Sequence, residues 1–309
     1  MEKEVGKVRI NLEYYHGDDH YSDGDAVEEK LLEIVKEKHP DEFRQVIESD
    51  GTWAVMYHLS PMRENIINWY PFQEGDHVLE LGAGCGAVTG AMLSKGVKVT
   101  AVDLSLRRSM INAYRHRDDK NLNVIVGSLQ DILEQHSTKY DYATLIGVLE
   151  YSALFTEHPK PFHDVLSMAQ KVLKPNGKLL LSIENKLGLK YFAGCREDHT
   201  GRFFESIEGY PHKDGPYTFS RKELKKLAAE VGFECRFYYP YPDYKFPVQI
   251  FSDEYLPQKG DLVRNWQNFD ADRIALFDES KAFDTIIEAG LFNEFSNSFF
   301  IEMERRKDI

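Results

Sequence analysis

Three glycines at alternate positions, Gly82, Gly84 and Gly86, follow an apolar segment in the stretch VLELGAGCGAVTGAML and lead into a helix-like pattern. Glycines let a backbone approach a ligand closely. Glu80 stands two residues before the first glycine, where a carboxylate repels a pyrophosphate but suits a cationic amino group. Asp103 follows Gly82 by 21 residues, where it can accept hydrogen bonds from both ribose hydroxyls. Together these residues predict a site for a nucleoside that carries an ammonium group.

The same residues leave two alternatives open. With Ala87 in third place, the run also satisfies the dinucleotide fingerprint G-x-G-x-x-A, which would make the chain a nicotinamide dehydrogenase. Glycines at a strand-to-helix turn also serve tight packing alone, and an acid in the position of Asp103 also caps helices. Gly86 in particular is open to a purely structural role.

The elements that position these residues follow from the hydrophobic pattern. From residue 76 onward, short apolar segments alternate with helical periods, which is typical of a parallel sheet with helices on both faces. Before residue 75 the pattern is helical. The predicted helices include 26–38, one from Ser60 onward, and one that Ser220 and Glu223 begin as a capping box. The predicted strands are 77–81, 98–102, 123–126, 142–148, 178–183, 233–239 and 298–303.

Four motifs in this order resemble the class I S-adenosylmethionine-dependent methyltransferases: LELGAGCG, VTAVDLS, DYATLIGVLEYS and VLKPNGKLLLSI. The resemblance implies an α/β fold with a Rossmann-like seven-stranded sheet and an antiparallel last strand. It implies S-adenosyl-L-methionine as the cofactor. The cofactor contacts that it implies are Glu80, Gly82, Ala83, Gly84, Gly86, Asp103, Leu104, Ser128, Leu129 and Gly147. Ser128 departs from the many relatives that carry an acid there, so the adenine contact would fall to its hydroxyl and to the backbone of Leu129.

Two domains are predicted. Residues 1–74 form an N-terminal helical cap, and residues 75–309 form the methyltransferase domain, with acceptor-binding insertions near 185–219 and 240–295. In the cap, Arg63 is predicted to pair with the cofactor's carboxylate, with surface exposure as the alternative.

A narrower likeness, carried by IENKLGLKYFAGCREDHTGRFFESIEGYP, TFSRKEL and YYPYPDYKFP, links the chain to bacterial methyltransferases that are encoded beside glycosyltransferases in cell-surface polysaccharide clusters. It implies a sugar or glycan acceptor and a glycosyltransferase partner. The aromatic run from Tyr238 to Phe246 would then stack on a sugar ring, although half of it is expected in the core.

The long segment after the fifth predicted methyltransferase strand is expected to be an acceptor-binding lid, because long irregular loops in compact domains are usually functional or disordered. His199 in this segment is the predicted general base, with Asp198 or Glu197 orienting it. Glu184 and Asn185 at the strand tip are predicted to hold acceptor hydroxyls. The structural alternative for His199 is a surface histidine without a role, and the alternative for Glu184 and Asn185 is a loop cap. Glu150 and Tyr151, at the end of the fourth strand, are predicted either to line the methyl-transfer site or to be buried without a catalytic role.

Composition excludes several classes of protein. A net charge of −13 repels nucleic acid, and the basic clusters Arg107-Arg108 and Arg115–Arg117 are expected on a solvated helix side. Since no apolar run reaches the length of a membrane span and no signal region opens the chain, a cytoplasmic protein is predicted. The three cysteines argue against disulfides or structural zinc. No metal site is predicted. The segment HGDDHYSDGD could bind a divalent ion, but acidic segments of this kind are far more often solvated loops.

The leading hypothesis is therefore an O-methyltransferase that acts on a sugar or glycan precursor. The alternatives are an N- or O-methyltransferase of a small metabolite, and a non-catalytic protein that keeps the fold as a scaffold for a glycosyltransferase.

Overall fold

A computed structural model describes residues 2–17, 23–135, 137–154, 158–213, 215–265 and 271–306. The chain divides into two compact units. The first contains residues 1–145 and 168–178, and the second contains 146–167 and 179–309. This division does not follow the predicted boundary at residue 75, because the N-terminal elements pack with the first half of the methyltransferase strands.

The first unit contains six strands in the order β1-β2-β5-β4-β3-β6. Pairing is parallel between β2 and β5, β5 and β4, β4 and β3, and β3 and β6, whereas β1 and β2 form an antiparallel hairpin. The strands span Glu2–Val5 (β1), Val8–Asn11 (β2), His77–Leu81 (β3), Lys98–Asp103 (β4), Leu122–Val126 (β5) and Tyr140–Ile146 (β6). Glu80 and Asp103 thus lie near the carboxyl ends of neighbouring parallel strands.

The second unit carries the strand order β7-β10-β8-β9. β10 pairs antiparallel with β8, as the resemblance implied for the last strand pair, and β8 pairs antiparallel with β9. The strands span Leu173–Glu184 (β7, which begins in the first unit), Phe233–Tyr241 (β8), Gln249–Ser252 (β9) and Ser298–Arg305 (β10).

The mixed sheet therefore has ten strands rather than the predicted seven. The three additional strands are β1 and β2, in a region predicted to be helical throughout, and β9 within the insertion after β8. β2 forms because Val8 and Ile10 are fully buried while Arg9 between them is exposed, which is the alternation of a strand with one covered face.

The helix predicted over 26–38 is found at Asp25–Glu37 (α1), whereas the one predicted from Ser60 onward is a 3-10 helix at Pro61–Glu64 followed by a single α-helical turn at Asn65–Asn68. α1 places Leu31 and Val35 in a buried cluster with Phe43, Val55 and Leu59, and Cys85 of the glycine turn (residues 82–86) packs into the same cluster. The helices are Asp25–Glu37 (α1), Phe43–Asp50 (α2), Trp53–Leu59 (α3), Asn65–Asn68 (α4), Thr89–Leu93 (α5), Leu106–Arg115 (α6), Leu129–Gln135 (α7), Pro161–Val172 (α8), Leu189–Phe192 (α9), Arg221–Glu230 (α10), Glu279–Glu288 (α11) and Phe292–Phe295 (α12). The predicted capping box of Ser220 and Glu223 begins α10.

Two basic residues of α6, Arg108 and Arg115, are buried, so the expectation of a solvated side was wrong for them. The side chain of Arg107 is 34% exposed and pairs with the exposed Asp25. Arg108 is buried and its guanidinium binds the carboxylates of Glu28 and Asp23. Arg115 is also buried, where it donates a hydrogen bond to the carbonyl of His58. Burial is tolerated because each guanidinium is paired with acceptors from the N-terminal helical region.

The predicted lid is a packed part of the second unit. Tyr191, Tyr210 and Thr218 are buried, and an isolated bridge joins Asn185 to Phe219. The aromatic run from Tyr238 to Phe246 begins within β8 and is also mostly core, since Tyr239, Tyr241, Tyr244 and Phe246 are all buried.

Candidate functional site

The backbone of the glycine turn is held against the end of β4. Gly82 and Ala83 donate their N–H groups to the carbonyl of Val102, at 2.8 and 3.0 Å, and Gly84 donates its N–H to the Asp103 carboxylate at 2.7 Å. Gly84 has a φ of +54°, and a Cβ added there would meet no atom within 4 Å. The turn therefore presents open space above Gly84, as a bound ligand requires.

These hydrogen bonds bear on the choice of ligand. A pyrophosphate site in a dinucleotide-binding turn relies on backbone N–H groups that point at the ligand. Here the N–H groups of residues 82 to 84 are already engaged with β4. This arrangement favours a ligand without phosphates over a nicotinamide dinucleotide.

Glu80 is a buried carboxylate beneath the turn. Its Oε2 accepts a hydrogen bond from the Thr89 hydroxyl at 2.6 Å. Burial raises the pKa of Glu80 to about 8, although the bond from Thr89 works in the opposite direction. A cationic ligand beside this carboxyl group would favour its ionised form and lower its raised pKa. The buried acid therefore suits a positively charged ligand.

Asp103 accepts hydrogen bonds from the backbone and is also predicted to accept hydrogen bonds from the ribose. One carboxylate oxygen accepts from Gly84, and the other accepts from the N–H of Ser105 at 2.9 Å. Burial raises the pKa of Asp103, while these two backbone bonds oppose the shift. Each carboxylate oxygen can accept more than one hydrogen bond, so ribose hydroxyls can be added without breaking either contact.

Other predicted cofactor residues have structural tasks. A Cβ on Gly86 would lie 2.2 Å from the Asn112 side-chain oxygen, so this glycine is needed for packing against α6. Ser128 accepts a hydrogen bond from the N–H of Asp131 and thereby caps α7. Leu104 and Leu129 are half-buried within the first unit. Gly147 belongs to the second unit, where a Cβ would lie 2.7 Å from the Tyr244 hydroxyl.

The end of β5 is covered by the segment that follows the N-terminal hairpin. A Cβ on Gly127 would lie 2.5 Å from the carbonyl oxygen of Tyr14. Sequence reasoning missed this contact, because Tyr14 and Gly127 are far apart in the chain and β2 was not predicted.

The predicted cap residues are less exposed than expected. Arg63 is buried, and its guanidinium lies 4.2 Å from the centre of the Tyr57 ring. His58 is buried as well, with its Nε2 2.7 Å from Asp23. In the acidic segment, Asp25 pairs with Arg107, so the described acids are engaged in ion pairs. Asp18, Asp19 and His20 lie outside the described residues.

In the second unit, His199 lies in a buried polar environment. Its Nδ1 is 3.1 Å from the Tyr151 hydroxyl, and its Nε2 is 3.4 Å from Oε2 of Glu184. Burial alone lowers the pKa of His199, but the neighbouring Glu184 and Glu150 carboxylates outweigh this and raise it to about 9. The ring is therefore oriented by Tyr151 and Glu184.

The predicted orienting residues act elsewhere. Glu197 accepts hydrogen bonds from the backbone N–H of His199 and does not contact its ring in the described structure. Asp198 accepts from the Tyr191 hydroxyl at 2.6 Å and pairs with Lys190 and Lys245, at 2.7 and 2.5 Å. Burial disfavours the Asp198 carboxylate, yet these two ammonium groups hold its pKa well below the usual range.

Of the two strand-tip residues, only Glu184 contacts the histidine. Both amide hydrogens of Asn185 are donated to backbone carbonyls, those of Glu294 and Ser296, at 2.9 and 2.7 Å. Glu184 instead receives Lys245 at 3.0 Å and the Tyr244 hydroxyl at 3.2 Å on Oε1. Its pKa is held below the usual value, because Lys245 and His199 outweigh the cost of burial.

Glu150 completes the cluster. Its side chain is fully buried, and neither carboxylate oxygen has a hydrogen-bond partner in any other described residue. Burial, with the Glu184 charge next in importance, raises the pKa of Glu150 to about 8. One ligand atom each of Glu150, Glu184 and His199 lies within 4.8 Å of the others. These three residues are called the carboxylate–histidine cluster below.

The residues that sequence reasoning missed around the cluster are Lys245, Lys190 and Tyr244. Lys190 lies nine residues before His199, and Tyr244 and Lys245 lie 45 and 46 residues after it, but no spacing in the segments that contain them marks a contact with His199. The one available signal was the density of polar residues among the aromatics of YYPYPDYKFP, which was interpreted as a stacking surface.

The raised pKa of Glu80 predicts a pH-dependent stability. The folded state holds a proton on Glu80 up to a pKa of about 8, whereas an unfolded chain releases it near 4.5, so this group's contribution to stability falls as pH rises between these values. Glu80→Gln has no proton to lose. In urea unfolding of the ligand-free protein, the variant should gain about 2 to 3 kcal/mol over wild type between pH 6 and pH 9.

The control for this measurement is Glu33→Gln, on the exposed side of α1. Its difference from wild type should stay constant with pH. A constant difference for Glu80→Gln as well would contradict the prediction.

None of the helices in the described part of the chain has the length and hydropathy of a membrane span.

Comparison with known proteins places these sites in context. A family model described as a methyltransferase domain matches residues 57–236, more than half of the chain. The ubiquinone biosynthesis O-methyltransferase of Glaesserella parasuis is 28% identical over 202 residues, which cover 60% of this chain and 77% of that enzyme. The enzyme of the same name from Coxiella burnetii is 30% identical over 139 residues, 44% of this chain and just over half (55%) of the enzyme.

Among solved structures, a putative methyltransferase of Haloferax volcanii in complex with its Trm112 activator has a TM-score of 0.49 and 14% identity, covering 88% of this chain and 99% of that one. Geranyl diphosphate C-methyltransferase of Streptomyces coelicolor has a TM-score of 0.48 and 15% identity, covering 94% and 89%. None of these names links the chain to polysaccharide synthesis. The family match covers both the glycine turn and His199, and the chain therefore belongs to the methyltransferase domain family, as an enzyme whose cofactor is S-adenosylmethionine.

Proposed function

We propose that this enzyme methylates a hydroxyl oxygen of its acceptor. The observation that carries the proposal is the buried carboxylate–histidine cluster of the second unit, in which a histidine is oriented by Tyr151 and Glu184. The curated relatives in ubiquinone biosynthesis, which are named as O-methyltransferases, support the same bond type.

Bound S-adenosylmethionine supplies a methyl group that a sulfonium already activates for displacement. In the proposal, Glu80 neutralises the ammonium group of the cofactor, and Asp103 accepts hydrogen bonds from its ribose. The open backbone at Gly84 gives the nucleoside its space. Much of the rate then comes from alignment, for which orientation can supply about 7 to 11 kcal/mol of the barrier.

A hydroxyl oxygen is a weak nucleophile near neutral pH until its proton is removed or weakened. General acid–base help of this kind typically contributes about 10² to 10⁴ in rate. The proposal gives this task to the carboxylate–histidine cluster, with His199 as its predicted base. Because the neighbouring carboxylates raise the pKa of His199 to about 9, the imidazole must first release its own proton before it can accept one from the acceptor. Asp198 fixes Lys190 and Lys245 beside it, and Asn185 anchors the backbone at the end of β7.

For the acceptor, we propose a sugar or glycan precursor, on the strength of the narrower sequence likeness. The insertion near 240–295 lies outside the region that the family model matches, residues 57–236. An acceptor that this insertion selects need not be that of the relatives. A hydroxyl-bearing precursor of ubiquinone is the second candidate, favoured by the names of those relatives.

The test is a labelled-methyl assay of the full chain against nucleotide sugars, glycan fragments, phenols and small amines. We expect label in an alkali-stable ether of a sugar-containing acceptor. Label confined to phenols would move the proposal to the second candidate, and label confined to amines would contradict O-methylation. Tight binding of S-adenosylhomocysteine without turnover on any acceptor would favour the alternative of a non-catalytic scaffold.

A cytoplasmic location and a glycosyltransferase partner remain part of the proposal. Both rest on sequence patterns alone.

A further inference from the structure

Glu150 is a buried acid of the second unit without a hydrogen-bond partner in any other described residue. Its carboxylate is fully buried, and neither oxygen accepts a hydrogen bond from another described residue. Removing an ionised carboxylate from water is costly unless a cation or hydrogen-bond donors replace the water.

The surrounding charges show a shortage of positive groups. Five carboxylates with little or no solvent exposure lie in this part of the second unit: Glu150, Glu184, Glu197, Asp198 and Asp243. The cationic groups facing them are the ammonium groups of Lys190 and Lys245 and the imidazole of His199. With all five carboxylates ionised and His199 neutral, as a metal ligand must be, negative groups exceed these described positive groups by three, and a divalent cation would reduce that excess.

The geometry of His199 fits a metal ligand better than a simple ion pair. Charge-assisted N–H···O bonds are about 2.7 to 2.9 Å long, whereas Nε2 of His199 lies 3.4 Å from Oε2 of Glu184. Two ligands bound at about 2.1 Å and at right angles lie about 3 Å apart, and opposed ligands lie about 4.2 Å apart. The spread of the three ligand atoms, at most 4.8 Å, therefore needs only a small contraction around an ion.

The outer contacts are also those of a metal site. Metal-binding histidines usually hydrogen-bond through the ring nitrogen that faces away from the metal. Here Nδ1 of His199 faces the Tyr151 hydroxyl, so that Nε2 is turned towards the carboxylates. The second oxygen of Glu184 accepts a hydrogen bond from the Tyr244 hydroxyl, which fixes its direction, while the ammonium group of Lys245 at 3.0 Å competes with a metal ion for the same carboxylate.

We propose that Glu150, Glu184 and His199 bind one divalent metal ion. A set of one imidazole and two carboxylates suits Mn²⁺ or Zn²⁺ better than Mg²⁺ or Ca²⁺, which prefer oxygen ligands alone. This site goes beyond the proposed O-methylation and does not depend on the acceptor. It gives His199 the role of a ligand in place of the predicted role of base, and the ion would then polarise the acceptor hydroxyl, whose proton passes to solvent.

The test measures binding without turnover. The full chain is treated with chelator, and equilibrium dialysis with Mn²⁺, Zn²⁺ and Mg²⁺ is followed by metal analysis. We expect one Mn²⁺ or Zn²⁺ per chain and at least tenfold weaker binding of Mg²⁺. Glu150→Gln should weaken Mn²⁺ binding at least tenfold. The matched control is Glu205→Gln, a buried carboxylate of the same unit that pairs with His212 outside the cluster, and it should bind as wild type does.

Two further measurements keep the test decisive. Pulsed electron paramagnetic resonance of the Mn²⁺-loaded protein should show coupling to one imidazole nitrogen, which His199→Ala removes. Lys245→Met takes a competing cation away from Glu184 and should strengthen Mn²⁺ binding.

Glu150→Gln removes a carboxylate that on folding must either bury its charge or take up a proton, and both cost free energy, so without metal its melting temperature should equal or exceed that of wild type. A loss of metal binding therefore cannot be attributed to misfolding. Absence of stoichiometric binding of all three ions, or equal Mn²⁺ affinity of wild type and Glu150→Gln, would overturn the inference.

Discussion

Asp103→Ala should lower the affinity for S-adenosylhomocysteine at least 100-fold in isothermal titration calorimetry. The variant loses the proposed acceptor of the ribose hydroxyls, and hydrogen bonds to charged groups contribute about 1.5 to 3 kcal/mol each. It also leaves the N–H groups of Gly84 and Ser105 without their carboxylate partner, so the turn loses its fixed distance from β4. Both effects act on the same ligand.

Asp103→Asn separates these two effects. Its amide oxygen can retain one backbone bond, but its NH₂ group cannot accept the other, so an intermediate affinity is expected. Asp25→Ala, an exposed acid of the first unit, serves as the control. Affinity of Asp103→Ala within threefold of wild type would show that the ribose is held elsewhere.

The second large effect is expected at His199. His199→Ala should lose about 100-fold or more of its turnover, because the only imidazole of the carboxylate–histidine cluster disappears, whether it acts as base or as ligand. Its affinity for S-adenosylhomocysteine should change less than twofold, since the proposed cofactor residues Glu80, Gly84 and Asp103 belong to the first unit. Single-turnover rates with a labelled methyl group, beside calorimetry, measure both quantities.

His212→Ala is the matched control for His199→Ala. His212 comes from the same segment and pairs with a buried glutamate, but its side chain is 56% exposed. Turnover of His199→Ala near that of wild type would exclude this residue from the chemistry. A joint loss of turnover and cofactor affinity would instead indicate a structural role.

The strands that carry the cofactor residues could be predicted from the sequence because local signals mark both of their ends. β3 is an apolar run that ends at Glu80 and Leu81 before a glycine, and its predicted bounds agree with the structure. α10 was equally clear, since Ser220 and Glu223 satisfy each other's backbone groups within four residues. Such signals need no knowledge of the rest of the fold.

The missed parts depend on contacts between distant residues. β1 contains only four residues, three of them charged and exposed, and becomes a strand because β2 pairs with it while β2 in turn pairs with β5. In the second unit, Lys245 approaches Glu184 from 61 residues away in the chain. No periodicity records such a contact, and the sequence therefore predicted His199 but not the groups that orient it.

The pairing of β2 with β5 has a consequence for the limits of the folded enzyme. The region shared with the family begins at residue 57, after β2, yet β2 donates to and accepts from the outer side of β5, and the carbonyl of Tyr14 fills the space beside Gly127. A fragment trimmed to the shared region would expose the backbone of an apolar parallel strand, and such open edges invite self-association. The amino-terminal hairpin therefore covers an edge of β5 that the shared region alone would leave open, and this cover should keep the enzyme from self-association.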